Sequence, residues 1–239
     1  MLKRIVVEGL SKDFTLHLQG GQEMSILSKI DMQVDAGECV VIHAPSGAGK
    51  STLLRCLYAN YRASSGSVNI WHKGDTDEGG WVDVQSAPAQ QVLAVRHSTL
   101  GFVTQFLRVI PRISTLDLVA EPLLMRGVEK QAAYEQAEEL LSRLRIPKRL
   151  WQIPPATFSG GEQQRVNIAR TMICDYPILL LDEPTASLDE ANRATVIDMI
   201  NAARERGAAV VGIFHDEVVR QALATRIFSI PAAVSLVAA

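Results

Sequence analysis

The sequence predicts an α/β fold with a parallel β-sheet at its centre and a separate group of helices. Short apolar strands alternate with helical stretches over most of the 239 residues, which is typical of a parallel sheet. A strand, a glycine-rich turn and a helix follow one another over residues 39–58. Residues 106–172 are helical in pattern and interrupted by prolines, which indicates a helical subdomain inserted into the alternation.

The glycine-rich turn reads Ala44-Pro-Ser-Gly-Ala-Gly-Lys-Ser-Thr52. Gly47 and Gly49 allow the backbone to approach a phosphate closely, and the helix that follows offers unpaired N–H groups. Lys50 supplies an ammonium for the last two phosphates, and Ser51 a hydroxyl ligand for Mg²⁺. The turn is therefore predicted to be a phosphate-binding loop, with Ala44 in place of the glycine that usually comes first.

The remaining strands and helices are assigned from hydrophobic periodicity and turn residues. Strands are predicted at residues 4–8, 10–16, 26–34, 39–43, 68–71, 81–84, 100–104, 178–181, 208–214 and 226–230. Helices are predicted at residues 52–58, 88–96, 115–126, 130–144, 162–174 and 190–206. Residues 64–67 are predicted to form a turn, residues 73–80 a hairpin loop and residues 231–239 a loose tail.

Composition excludes several classes of protein. A net charge of −2 and a pI near 6.2 argue against a nucleic-acid surface. Three scattered cysteines, Cys39, Cys56 and Cys174, indicate reduced core thiols rather than disulfides or a metal site. No stretch approaches the roughly 18 apolar residues of a membrane span. Residues 1–8 reach a glutamate after three apolar residues, so we do not expect them to act as a secretory signal. We expect a cytoplasmic protein that does not insert into a membrane.

Two acidic residues end the most apolar strand, Ile178-Leu-Leu-Leu-Asp-Glu183. Ligands of open parallel sheets bind at the carboxyl ends of the strands. Asp182 is suited to hold Mg²⁺, and Glu183 to orient and deprotonate an attacking water. Together with the phosphate loop, the pair predicts nucleotide hydrolysis.

A second anion site of the same physical kind begins at Ser159-Gly-Gly161. Ser159 is suited to cap the following helix, and Gly160 and Gly161 leave backbone N–H groups open. A single nucleotide does not need two such sites on one chain.

Five motifs in this order resemble the nucleotide-binding domain of ATP-binding cassette (ABC) proteins. They are the phosphate loop, Gln105, Ser159-Gly-Gly-Glu-Gln163, Leu181-Asp-Glu-Pro-Thr-Ala-Ser-Leu-Asp189 and His215. The resemblance implies a P-loop NTPase core of ABC-ATPase type with an antiparallel β subdomain and an α-helical subdomain. It implies one domain over residues 1–239, in which residues 1–105 and 175–239 form the RecA-like core with the β subdomain and residues 106–174 the helical subdomain.

The resemblance also implies a head-to-tail dimer, of two identical chains or with another ABC subunit, that encloses two ATP and Mg²⁺. It implies that Glu183 is the general base, His215 holds the γ-phosphate, and Ser51, Gln105 and Asp182 serve the metal. ATP contacts are implied for Phe14, Ser46, Gly47, Ala48, Gly49, Lys50, Ser51, Thr52, Ser159, Gly160, Gly161 and Asp189. Phe14 corresponds to the aromatic residue on which the adenine stacks; from its pattern alone it is equally suited to a core position.

Stretches outside the shared motifs, including residues 55–61, 106–114 and 212–217, resemble the L component of bacterial carbon-phosphorus lyase systems. This resemblance implies phosphonate breakdown, in association with the step that joins a phosphonate to the ribose of ATP. The chain would then act as an ATP-driven clamp on soluble lyase subunits, with residues 108–112 as a docking surface.

Two alternatives remain from the sequence. One is the cytoplasmic ATPase of a membrane transporter, of the lipoprotein-export or phosphonate-import type. The other is a module that binds ATP and closes without productive turnover, against which Glu183 and His215 both argue.

Overall fold

The computed structural model describes residues 2–16, 22–74, 79–107 and 112–231. The strands are β1 (Lys3–Leu16), β2 (Gln22–Asp35), β3 (Cys39–His43), β4 (Ser65–His72), β5 (Gly80–Asp83), β6 (Leu100–Val103), β7 (Ile178–Asp182), β8 (Ala209–Ile213) and β9 (Arg226–Ser229). The helices are α1 (Lys50–Leu57), α2 (Ala89–Ser98), α3 (Thr115–Met125), α4 (Lys130–Arg143), α5 (Gly160–Met172), α6 (Glu190–Glu205) and α7 (Glu217–Leu223). Within these ranges, no helix combines the length and apolar character needed to cross a membrane.

Five strands form the predicted parallel sheet, in the order β6-β7-β8-β3-β9. Every residue of β7 and β8 is buried, as expected for strands covered on both faces. Ile178 and Leu180 pack with α1, α2 and the second sheet, whereas Leu179 and Leu181 pack with α3 to α7. Because successive side chains of a strand point to opposite faces of the sheet, this one apolar strand contributes to two hydrophobic cores.

A second, antiparallel sheet has the order β2-β1-β4-β5, and its strands supply the core against which α1 packs. The turn predicted at residues 64–67 is wrong, because β4 already begins at Ser65 and pairs with β1. Gly66 makes this possible: its φ is +86°, and a Cβ there would lie 2.5 Å from the backbone of Gly9. The glycine marks a register shift in the β1–β4 pairing, where the two backbones approach closely, instead of a turn.

The helical stretch contains α3, α4 and α5, which pack on one another and bury Leu118, Leu141 and Val166. Short 3₁₀ turns at Lys148–Leu150 and Pro155–Thr157 connect α4 to α5. Helix α5 begins two residues earlier than predicted, because the Ser159 cap allows both glycines to be helical.

Helix α7 was not predicted from the sequence, although Asp216 and Glu217 form a short helix start there. Parts of three predicted features lie outside the described residues: positions 75–78 of the hairpin loop, 108–111 of the docking surface and 232–239 of the tail.

Candidate nucleotide site

The phosphate loop runs from the end of β3 to the start of α1. Gly47 and Gly49 have φ values of +80° and +86°, in the region that side chains disfavour. A Cβ on Gly49 would lie 2.8 Å from Ile26 Cγ2 in β2, so the antiparallel sheet also requires a glycine here. The loop contains Ser46 and Ala48, and Thr52 lies in the first turn of α1. The loop thus has the form that the sequence predicts, with a helix N-terminus facing the curled backbone.

Lys50 folds back over this loop. Its Nζ donates to Ala44 O at 2.8 Å and to Pro45 O at 3.0 Å. The first loop position thus contributes its carbonyl rather than a side chain, and alanine makes this contact as glycine would. These two neutral carbonyls are weaker partners for an ammonium than the charged oxygens of a phosphate.

Ser51 and Asp182 meet at the carboxyl end of β7. Ser51 Oγ donates to Asp182 Oδ1 at 3.0 Å, and Asp182 is only 2% exposed. Burial raises the pKa of Asp182, and the Ser51 hydrogen bond opposes that rise. Among the described residues no arginine, lysine or histidine forms an ion pair with this carboxylate.

These two oxygen ligands suit Mg²⁺, which proteins commonly hold through one or two carboxylates together with substrate phosphates. No cluster of three His, Cys, Asp or Glu residues suited to a metal occurs in the parts of the chain that the structure describes. Two protein oxygens leave most positions around an octahedral Mg²⁺ open for phosphate oxygens and water, so Ser51 and Asp182 fit a cation that arrives with a nucleotide.

Replacing Asp182 tests whether its buried carboxylate destabilises the nucleotide-free protein and serves to bind a cation. We expect Asp182→Asn to raise the melting temperature of the nucleotide-free protein, because the amide removes a desolvated charge yet still accepts from Ser51. The same variant should lose the Mg²⁺ dependence of ATP binding. Calorimetric melting and ATP titrations with and without Mg²⁺ check both results, and a lower melting temperature would contradict the first.

Glu183 contacts residues that follow two other strands. Its Oε1 lies 2.7 Å from His215 Nε2, beyond β8, and its Oε2 accepts from Gln105 Nε2 at 3.3 Å, beyond β6. The backbone of Glu183 has a φ of +52°, which is a strained conformation for a residue with a Cβ. Asp182 and Glu183 thus take different partners, and the cluster lies at the predicted edge of the parallel sheet.

Phe14 lies in β1 and is half-buried. Tyr61 meets its ring edge-on, with 5.5 Å between centroids, and Lys12 Nζ lies 4.7 Å from the Phe14 centroid. Tyr61 in turn accepts a hydrogen bond from Arg55 NH1 of α1 at 2.9 Å. No motif in the sequence indicated this support, which connects Phe14 to the helix that follows the phosphate loop.

Ser159 caps α5 in a reciprocal arrangement with Glu162. Glu162 Oε2 accepts from Ser159 N at 2.9 Å and from Ser159 Oγ at 2.8 Å, and the Ser159 hydrogen bond lowers the pKa of Glu162. Among the described residues no hydrogen bond joins Ser159, Gly160 or Gly161 to Lys50 or Ser51. Within one chain the two predicted anion sites are therefore not connected by hydrogen bonds.

The two glycines of this turn differ in their surroundings. A Cβ on Gly161 would lie 2.7 Å from Ser187 O, whereas a Cβ on Gly160 would meet nothing within 4 Å. We expect Gly161→Ala to lower the free energy of unfolding by about 1–3 kcal/mol, because the backbone carbonyl has to move. Gly160→Ala is the matched control and should unfold like the wild type in a urea titration. Equal stability of the two variants would contradict the prediction.

Asp189 caps α6. It accepts from Asn192 N at 2.8 Å and from Asn192 Nδ2 at 2.9 Å, and the backbone hydrogen bond is the main reason for its lowered pKa. No contact of Asp189 with the residues of the phosphate loop is seen in the described part of the chain. Its predicted role across a dimer remains a prediction.

Comparisons with known proteins identify the family. The ABC transporter family profile matches residues 27–186. The lipoprotein-releasing system ATP-binding protein LolD of Idiomarina loihiensis is 38% identical over 87% of this chain and 86% of its own length. LolD of Legionella pneumophila is 35% identical over 83% of each chain.

Solved structures agree with this assignment. A dimeric bacterial ABC transporter cassette superposes with a TM-score of 0.83 and 27% identity, covering 95% of this chain and 94% of that one. The same cassette bound to ADP and Pi, described as a post-hydrolysis dimer, gives equal values. The predicted fold class is thereby confirmed, and this chain belongs to the ABC transporter family of ATP-binding cassettes.

Proposed function

We propose that the chain hydrolyses ATP as one subunit of a head-to-tail dimer and uses closure of the dimer to act on a partner protein. The convergence of Gln105, Glu183 and His215 beside Ser51 and Asp182 carries this proposal. Gln105 and His215 hold the Glu183 carboxylate in place by hydrogen bonds, and a carboxylate held in this way is suited to accept a proton from water. The similar cassette that was solved as a dimer with ADP and Pi, in a post-hydrolysis state, supports ATP hydrolysis within a dimer.

In this mechanism the phosphates are surrounded by backbone and hydroxyl donors of the loop and the first turn of α1, from Ser46, Gly47, Ala48, Gly49 and Thr52. Lys50 leaves its two carbonyl partners for phosphate oxygens, and Phe14 receives the adenine. Bound Mg²⁺, held by Ser51 and Asp182 and reached by Gln105, would neutralise charge on the phosphates.

Glu183 orients the water and takes its proton, while His215 fixes the carboxylate and contacts the γ-phosphate. The partner chain's phosphates are contacted by the Ser159 hydroxyl and by the backbone N–H groups of Gly160 and Gly161. Among the described residues, no hydrogen bond joins this turn to Lys50 or Ser51 of its own chain, which leaves it for the partner's nucleotide. Asp189 lies beside this turn in the proposed dimer interface.

Mixing two inactive variants tests the composite site. Lys50→Ala removes the phosphate contact, and Gly160→Asp adds a carboxylate in open space, where it opposes the partner's γ-phosphate without disturbing the fold. Neither variant alone should dimerise with ATP, whereas a mixture restores one intact site and should form a heterodimer. Light scattering on labelled chains measures this, and a mixture as monomeric as its components would contradict the sandwich.

A groove of about 620 Å³ beside Gln105 supports action on a partner. It lies between α2, α3 and α5, and Phe106 and Met125 at its margin are 74% and 66% exposed. Exposed apolar side chains that line one groove together are typical of an interaction surface. Arg112 of the predicted docking surface is exposed, with a φ of +71°.

The curated relatives favour a membrane transporter as the partner, since LolD proteins belong by name to a lipoprotein-releasing system. In that case the groove receives a segment of a permease.

The stretches at residues 55–61, 106–114 and 212–217 favour the soluble core subunits of carbon-phosphorus lyase instead. The sequence holds no residues for ribosyl chemistry, so those subunits would make the bond between phosphonate and ribose.

Purification of the Glu183→Gln chain distinguishes the two partners. Cells are starved of phosphate and given a phosphonate, and the tagged chain is isolated with ATP and Mg²⁺ for mass spectrometry. Soluble lyase subunits would support the clamp, whereas a membrane permease would support the transporter. The Lys50→Ala chain, which cannot close on ATP, is the control for non-specific capture.

A further inference from the structure

An arginine on α6 connects two loops of the proposed active site. Arg193 lies one turn into α6, four residues after Asp189. Its NH1 forms an ion pair with Asp216 Oδ2 at 2.8 Å, and its NH2 lies 3.5 Å from Leu188 O. The guanidinium thus joins the turn before α6 to the segment that follows β8.

Asp216 is held from two sides. Its Oδ1 accepts from Val218 N at 2.8 Å and so caps α7, while Oδ2 takes Arg193. The residue before it is His215, whose ring reaches Glu183. Because Asp216 directly follows His215 in the chain, the position of Asp216 constrains the backbone of His215 and so the direction in which its side chain points.

Arg193 does not itself touch the proposed reacting groups. Within the described residues the hydrogen bond and ion pair of its side chain go to Leu188 and Asp216 only, and its Nε is buried without a partner. A buried donor that lacks an acceptor is costly. The contact with Leu188 is also at the outer limit of a hydrogen bond, so a small movement of the Leu188 turn would change how the guanidinium is held.

We propose that Arg193 is a positioning residue, which transmits the placement of the Leu188–Asp189 turn through Asp216 to His215. This inference rests on the proposed function, because it requires a dimer that closes against that turn and a His215 that serves hydrolysis. Closure would move the turn, and Arg193 would pass that movement to His215, whose ring already lies 2.7 Å from Glu183 Oε1 in the single chain.

Four variants test the proposal. Arg193→Ala removes the contacts with Asp216 and Leu188. Arg193→Lys keeps the positive charge but lacks the second terminal nitrogen of the guanidinium. Asp216→Asn removes the ion pair but keeps the cap, since Asn and Asp cap helices equally well. Arg206→Ala is the matched control, because it removes an ion pair with Asp175 at 2.9 Å, beyond the other end of α6.

We expect Arg193→Ala to lower kcat by about tenfold to a hundredfold, as small misplacements of a catalytic group do. KM, the Kd for ATP and the melting temperature should match those of Arg206→Ala, and Arg193→Lys should recover part of kcat. Asp216→Asn should lose a similar factor, and the double variant Arg193→Ala/Asp216→Asn should be no slower than the slower single variant.

A kcat within about twofold of wild type for Arg193→Ala, or effects that multiply in the double variant, would overturn the proposal. An equal loss of ATP affinity would also overturn it, since it would indicate a merely structural role. If the wild type hydrolyses ATP and these variants are normal, only this inference fails. A wild type that neither dimerises nor hydrolyses ATP would overturn the proposed function and this inference together.

Discussion

Glu183→Gln is expected to lower kcat for ATP hydrolysis by about a thousandfold, because the amide cannot take the proton of the attacking water. The glutamine keeps the shape of the side chain, and its amide oxygen still accepts from Gln105 while its NH2 faces His215 Nε2 and can donate to the neutral ring. ATP affinity should therefore remain, and the closed dimer should accumulate instead of turning over. Steady-state kinetics and size-exclusion chromatography with Mg-ATP measure the two effects.

The control is Glu205→Gln, an exposed position at the far end of α6. It should hydrolyse ATP and dimerise like the wild type. A Glu183→Gln chain that stays monomeric in saturating Mg-ATP would count against the dimer. One that still turns over at the wild-type rate would count against Glu183 as the base.

Lys50→Ala is expected to weaken ATP binding by about a hundredfold. A hydrogen bond to a charged group contributes about 1.5–3 kcal/mol, and Lys50 offers more than one to the phosphates. Folding should be little affected. Lys50 donates to Ala44 O and Pro45 O in a loop that water reaches, so water can donate to these oxygens in the variant. Titration calorimetry with ATP and a melting curve test both statements.

Lys130→Ala, at the start of α4, removes the same charge from the helical part of the chain. It should bind ATP with the wild-type Kd. A Lys50→Ala chain within about threefold of the wild-type Kd would show that Lys50 does not hold the phosphates.

Much of the fold follows from local pattern. The apolar strands at residues 178–181 and 208–214 were recognisable because burial on both faces leaves no polar position. The phosphate loop was recognisable because few residue types fit its key positions: Gly49 has a positive φ, and Lys50 supplies the ammonium for the phosphates. Misses occurred where a single residue carried the signal. Gly66 permits the close approach of β1 and β4 at a register shift, and Asp216 starts a seven-residue helix.

The sequence by itself determined the fold class and the residue types at the nucleotide site, because spacing and polarity along the chain are local properties. Only the tertiary structure decided which of those residues meet: Ser51 with Asp182, and Glu183 with His215 and Gln105. It alone connected Arg193 to Asp216 and placed Tyr61 against Phe14. Contacts between residues far apart in the chain depend on sheet order and helix packing, and neither is written in the pattern of any one segment.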